Sequence, residues 1–263
     1  MKDIIVTGAY GGMGRACVKA LRGAGFRVFA LDKKTEAAEE GIIPITADLT
    51  SEEEIKSAFD AICKQTEDIH AIIHFAGIYM LDSFIEISDD EFRRIFDINL
   101  RGVFLTNKIF FPLLKKGSRI IITTSELAPL DPLPFTSIYA VTKSALDKYA
   151  YSLRMELQLL GISVSVLRAG AVSTGMLKAS TDALERFCEK TELYTCNADR
   201  FRRIVNKVEA RNIPPERLAK KALAILCRRK PKFAYSINRN PLLLLLNALP
   251  KRLQLFAIRL ILR

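Results

Sequence analysis

Short apolar runs alternate along this chain with stretches in which apolar residues recur every three or four positions. Ile4-Ile5-Val6, residues 27–32 (RVFALD), 42–45 (IIPI), 71–75 (AIIHF), 119–123 (RIIIT), 162–167 (ISVSVL) and 232–235 (KFAY) read as seven strands. Helices are predicted over 13–23, with Val18 and Leu21 inward, over Asp89–Leu114, over 137–160 with Gly161 as the stop, and over Pro214–Arg228. Ser51 followed by Glu54 reads as a capping box that opens a further helix to about Lys64. Strands that are apolar throughout and separated by helices predict an α/β fold with a doubly wound parallel sheet covered on both faces. Ligands of such sheets bind beyond the carboxyl ends of the strands.

Nothing inside the 263 residues reads as a linker, and a 49% hydrophobic content is ample for one large core. The expected division is a main domain over 1–240, with a lid at about 175–213, and an apolar, basic tail over 241–263. Five scattered cysteines, odd in number and without CxxC spacing, predict reduced thiols and a cytoplasmic setting. Two histidines, His70 and His74, flank Ile72-Ile73 and read as strand positions, so no metal site is expected. The glycine motif begins by residue 7, which predicts no signal or transit peptide, and no apolar run approaches the ~20 residues of a membrane span. The net charge of +11 is local. Residues 1–180 carry 21 Lys+Arg against 22 Asp+Glu, whereas residues 181–263 carry 19 against 7.

The chemistry gathers at the predicted strand ends. Gly8, Gly12 and Gly14, with Tyr10, Gly11 and Met13 between them, stand where a strand turns into a helix, the place for a pyrophosphate on a helix N-terminus. Asp32 closes the second strand, where a carboxylate hydrogen-bonds ribose hydroxyls and repels a 2′-phosphate. It favours NAD over NADP, although Lys33 and Lys34 follow directly. Asp48-Leu49 follows the third strand and is placed either to meet the adenine edge or to serve as a turn before the helix. Tyr139 and Lys143 lie four apart, on one helix face, where an ammonium is expected to lower the phenol pKa. Ser125 lies fourteen residues before Tyr139, and Asn99 lies mid-chain.

This ordered set resembles the short-chain dehydrogenase/reductase superfamily, of the single-domain Rossmann type with Thr-Gly-x-x-x-Gly-x-Gly and Tyr-x-x-x-Lys, over roughly residues 3–235. The resemblance implies that Tyr139 is the general acid/base, that Lys143 lowers its pKa and binds the nicotinamide ribose, that Ser125 polarises a substrate carbonyl, and that Asn99 holds a water linking Lys143 to solvent. It implies cofactor contacts at Ala76, Gly77, Gly170, Val172 and Thr174, and a homodimer or homotetramer. Three departures stand out: His74-Phe75-Ala76-Gly77 replaces the usual Asn-Asn-Ala-Gly, Ala169-Gly170 replaces Pro-Gly, and the residue thirteen before Tyr139 is Glu126 rather than serine. An extra residue in the proline-rich stretch 126–134 is expected to restore Ser125 to the site.

The lid mixes apolar residues with Arg186, Lys190, Arg200, Arg202, Arg203, Lys207 and Arg211. It suits a small lipophilic substrate carrying an acid group, a hydroxysteroid or bile acid, or else amphipathic helices with solvated basic faces. The tail is expected to pack over a substrate cleft or to make peripheral membrane contact, with Arg252, Arg259 and Arg263 on one side. No recognition motif or stacking array points to nucleic acid. The expected activity is NAD-dependent alcohol oxidation or ketone reduction. A 3-oxoacyl thioester reductase is the alternative enzyme, and a non-catalytic NAD-binding sensor or membrane-surface scaffold is the alternative of another class.

Overall fold

The strands form where the apolar runs lie: β1 (Asp3–Thr7), β2 (Arg27–Asp32), β3 (Ile42–Thr46), β4 (Ile69–His74), β5 (Leu114–Ser125), β6 (Ser163–Ala169) and β7 (Ala234–Ile237). The computed structural model describes residues 1–263, apart from the side chains of Ser137, Val208 and Glu209. All seven strands are parallel and pair in the order β3-β2-β1-β4-β5-β6-β7. Successive side chains point to opposite faces of a strand, so the sheet feeds two cores. Ile4, Val6, Val28, Ala30 and Ile73 pack with α1 (Gly12–Gly23) and α8 (Pro215–Leu226). Ile5, Phe29, Leu31 and Ile72 pack with α2 (Glu52–Cys63), α4 (Gly102–Phe110) and α5 (Ser137–Leu157). Pro44 is tolerated because β3 is an edge strand.

The predicted helix over Asp89–Leu114 is broken. It consists of α3 (Asp89–Phe96), a π-helical turn over Asp97–Arg101, α4, and a short 3-10 turn over Phe111–Leu113 that holds Pro112. The π turn coincides with Asn99, whose side chain bonds out of the helix, and Pro112 cannot continue the α-helical ladder. β5 begins five residues before the apolar run because Leu114 already pairs with Ile69, while the Ser118 hydroxyl accepts from Lys115 N and donates to Ile69 O. β7 runs two residues further than its predicted end. At α2, Ser51 Oγ accepts from Glu54 N at 3.2 Å, but the Glu54 carboxylate reaches back to Asp48 N, at 2.8 Å, rather than to Ser51.

Beyond the carboxyl ends of the strands, α6 (Gly175–Lys190) and α7 (Thr195–Glu209) form the lid over a cluster of Leu81, Phe135, Leu184, Phe187, Phe201 and Val205. Phe135 has φ +64°, a conformation costly for a bulky residue. It sets the ring 4.6 Å from Phe187 and 5.1 Å from Phe201, which closes the lid onto the proline-rich loop. The chain ends in α9 (Pro241–Ala248) and α10 (Lys251–Leu262). Asp131 holds them: its N–H donates to Asn247 Oδ1, and its carboxylate accepts from Gln254 and pairs with Lys251. All five cysteines are free thiols.

Candidate active site

β1 runs directly into the glycine turn, and the space there admits no side chains. Gly8 has φ +64°, and a Cβ on it would lie 2.6 Å from Ala76 N. A Cβ on Gly14 would lie 2.0 Å from Gly8 O, and one on Gly12 would lie 2.6 Å from Thr174 Cβ. Gly11 opens α1 without a side-chain cap, which leaves the first N–H groups of the helix turned to the cleft. Thr174 is the N-cap of α6, accepting from Met176 N at 3.3 Å, so two helix N-termini meet at this point.

A cleft of about 1280 Å³ runs over this turn. Gly8, Tyr10, Gly11, Gly12, Met13, Gly14, Asp32, Asp48, Leu49, Ala76, Gly77 and Thr174 all line it. Asp32 is fixed at one end, accepting from Tyr10 N at 2.9 Å and from Lys33 N at 2.8 Å. Lys33 turns its ammonium to Asp48, 2.6 Å away, and that contact with two bonds from Thr50 holds the Asp48 carboxyl down to about 2. The Asp48 side chain therefore serves the turn before α2, the structural alternative for this residue. A glycine-floored groove with a helix N-terminus midway and a carboxylate at one end fits a dinucleotide.

A second cavity, about 210 Å³, adjoins the first and shares Met13, Phe75, Tyr79, Thr174 and Met176 with it. Ser125, Tyr139, Lys143, Gly170 and Val172 line this inner space. Ser125 ends β5, and its hydroxyl accepts from Leu127 N at 3.2 Å and lies beside the Tyr139 phenol. Tyr139 and Lys143 stand on α5, which Arg168 of β6 anchors through a two-bond pair with Asp147 at 3.0 and 2.7 Å. Burial pushes the Tyr139 phenol up to about 12, against the lowering influence of Ser125, and pushes the Lys143 ammonium down to about 8. Loss of solvent is the dominant influence on both groups, and Lys143, whose ammonium lies 5.6 Å from the ring centroid, is not among the causes of the Tyr139 shift.

Asn99 is fully buried, and its amide holds the loop after β4. Oδ1 accepts from Ile78 N at 2.8 Å, while Nδ2 donates to Ile78 O and to the Thr142 hydroxyl. A Cβ on Gly77 would lie 3.1 Å from Asn99 Oδ1 and 3.2 Å from Lys143 Nζ, so the glycine lets Asn99 and Lys143 approach each other across the loop. The departure at His74 is absorbed by a different bond set. Its Nε2–H donates to Asn107 Oδ1 at 2.9 Å, Nδ1 accepts from the Thr7 hydroxyl at 3.4 Å, and full burial holds the imidazole neutral with a pKa of about 4. Gly170 is as constrained as the missing Pro-Gly would suggest, since a Cβ there would lie 2.0 Å from Asn238 O.

Ser125 and Glu126 both line the inner cavity, and Ser125 is the one beside the Tyr139 phenol. Glu126 continues the ladder beyond β5 through its N–H to Ala169 O, and its carboxylate swings to Asn240 N at 2.6 Å. The lid's basic residues lie outside the inner cavity. Arg186 and Lys190 line the outer cleft, Arg202 pairs with Glu185 and Asp199, and no basic lid residue lines the inner cavity among the described residues. The inner wall includes Leu127, Leu133, Phe201, Ile204, Val205 and, from α9, Leu243, with Glu126 as its acidic member. Sequence reasoning missed Tyr79, whose ring lies 4.7 Å from that of Tyr139 and which borders both cavities. Its place two residues after the Ala76-Gly77 turn was the available signal.

The family model for short chain dehydrogenases matches residues 2–185. Estradiol 17-beta-dehydrogenase 2 of Mus musculus is 32% identical over 187 residues, covering 66% of this chain, and the chain spans about half (49%) of that protein's length. An uncharacterised short-chain dehydrogenase/reductase of Sinorhizobium fredii is 32% identical over 200 residues, covering 73% of this chain and 77% of the relative. The solved structure of a short-chain dehydrogenase from Streptomyces avermitilis agrees in fold, with a TM-score of 0.76 at 21% identity, covering 89% of this chain and 87% of that one. With the family model matched over this length, and with the glycine-floored cleft and the tyrosine and lysine on α5, the chain belongs to the short-chain dehydrogenase/reductase family of oxidoreductases, which act on alcohols and ketones with NAD(H) or NADP(H).

Proposed function

We propose that the protein interconverts a secondary alcohol and a ketone on an uncharged lipophilic substrate of hydroxysteroid size, using NAD(H), with Tyr139 as the general acid/base. The observation that carries this reading is the position of Tyr139. Its phenol, beside Ser125, stands in a mostly apolar cavity that adjoins the glycine-floored cleft. The relative named for estradiol supports the substrate class. The inner wall, free of basic lid residues among those described, argues for a neutral substrate over the acidic one expected from composition.

Gly8, Gly12, Gly14 and the α1 N-terminus would hold the cofactor pyrophosphate, and Asp32 the adenosine ribose. Lys33 is neutralised by Asp48, so it does little to offset the repulsion between Asp32 and a 2′-phosphate, which supports NAD. The bound nicotinamide supplies or accepts the hydride. With a pKa of about 12, Tyr139 keeps its proton at neutral pH and is in the form that donates to a carbonyl oxygen. Ser125 orients that oxygen, and Lys143, at about 8, carries a charge it can hold or release close to working pH.

A panel of ketones and alcohols, each run with NAD(H) and NADP(H), tests the reading. Steroid-sized turnover with NAD(H) is the expected result. Activity confined to 3-oxoacyl thioesters with NADPH would replace it with the acyl reductase reading. Tight NADH binding without turnover across the panel would make the protein a cofactor-binding sensor.

A further inference from the structure

The outer side of the C-terminal helix pair is apolar, basic and uncovered. On α10, Leu253, Phe256 and Leu260 recur at i, i+3 and i+7 and are 54, 65 and 65% exposed. Arg252, Arg259 and Arg263 run alongside them, all exposed. On the opposite side of the helix, buried Gln254 is tied to Asp131, so the exposed stripe cannot turn inward without breaking that anchor. On α9, Leu242 and Leu245 are likewise exposed, at 62 and 65%. Residues 241–263 contain four basic side chains and no acidic one. Of these, only Lys251 is paired with an acid among the described residues. The helix α7, against which α10 packs, adds exposed Arg200, Arg203 and Lys207.

We propose that this face of α9 and α10 seats the protein on an anionic lipid surface. A row of large apolar side chains beside a row of arginines matches the boundary between acyl chains and acidic headgroups, where buried apolar area and charge attraction add. A second copy of the chain is the poorer partner. Two-fold pairing through this face would bury arginines of both copies with no carboxylate from either helix pair to meet them. The opposite side of α9 gives the docking a consequence. Leu243 is in the wall of the inner cavity, so the exposed Leu242 and Leu245 are separated from the cavity by the thickness of one helix. A substrate dissolved in the bilayer would enter the cavity past α9. That consequence rests on the lipophilic substrate proposed above, whereas the docking does not.

The test is co-sedimentation of the full chain with vesicles of phosphatidylcholine alone and of phosphatidylcholine mixed equally with phosphatidylglycerol. The wild-type chain is expected to pellet with the mixed vesicles and to stay largely in solution with the neutral ones. Leu253→Glu/Phe256→Glu/Leu260→Glu is expected to lower the bound fraction by roughly tenfold or more, with its melting temperature unchanged because the side chains are exposed. Arg252→Ala/Arg259→Ala/Arg263→Ala keeps the apolar row and is expected to lose the preference for the mixed vesicles. Equal pelleting of wild type with both vesicle types, unaltered pelleting of either variant, or a wild-type dimer that the glutamate variant dissolves while vesicles bind nothing would each overturn the proposal. NADH titration of the same preparations reads the cofactor cleft independently, so failure of docking and failure of the proposed activity give different results.

Discussion

The outer cleft and the inner cavity share a wall at Phe75 and Tyr79 but are built by different means. The cleft is shaped by main chain. Its glycines touch carbonyls and amides at distances that admit no Cβ, and Asp32 is held by two N–H groups of its own neighbourhood. The cavity is shaped by side chains from elements far apart in sequence, with α5 at the base, the lid on one side and α9 at the edge. A main-chain surface has almost no way to vary without losing its ligand. A surface of exchangeable apolar side chains can change its ligand while the chemistry beneath it stays the same.

If Tyr139 is the point where the two spaces cooperate, Tyr139→Phe should cut turnover by about 10³-fold or more while leaving NADH affinity within about twofold. Steady-state kinetics with fluorescence titration checks both, and retention of a tenth of the activity would move the proton-handling group elsewhere. The contrast in rigidity comes next. Gly14→Ala drives a Cβ into Gly8 O and should cost about 2–4 kcal/mol with loss of NADH binding, whereas Leu243→Ala in the inner wall should cost roughly 1 kcal/mol and alter KM alone. Equal losses in urea melts would erase the distinction between the two walls.

A smaller change tests the far end of the cleft. Asp32→Ser removes the carboxylate that repels a 2′-phosphate and should shift the kcat/KM ratio of NADPH to NADH by about tenfold or more. An unchanged ratio would show that Lys34 and the Tyr10 loop set the preference. The smallest effect concerns Lys143. Its pKa falls from 10.5 to about 8 on burial, so between these values the folded chain has lost a proton that the unfolded chain still holds. The stabilising contribution is complete above pH 10.5 and is lost as pH falls through 8. Lys143→Met, melted without cofactor, should therefore exceed wild type in Tm at pH 7, and the gap should narrow by a few degrees, roughly, toward pH 10. A gap independent of pH would mean that Lys143 titrates as an exposed lysine.

The parts of the site legible in the sequence are those built locally. A glycine turn between an apolar run and a helix, an acid at the end of the next strand, and a tyrosine and lysine one turn apart each encode their geometry within a few residues. Ser125 was legible only as one of two candidates. What distinguishes them is that Ser125 lies beside the Tyr139 phenol, whereas the Glu126 carboxylate accepts from Asn240 N, a contact across 114 residues. The same holds for Asn99. The hydrophobic pattern continues smoothly from Asp89 to Leu114, and the π turn falls at Asn99, whose side-chain amide bonds to Ile78 and Thr142.

By itself, then, the sequence determined the sheet, the strand-end chemistry and the family, because hydrophobic periodicity and turn stereochemistry are properties of neighbouring residues. Only the tertiary structure decided the charge state of that chemistry and the character of the substrate space. Burial shifts the Tyr139 and Lys143 pKa values, and helix packing sends the lid's cations outward while placing Leu243 of the tail in the cavity wall. Desolvation and the direction of a side chain both depend on what lies opposite in space, and residues 100 or more positions apart in the chain supply it.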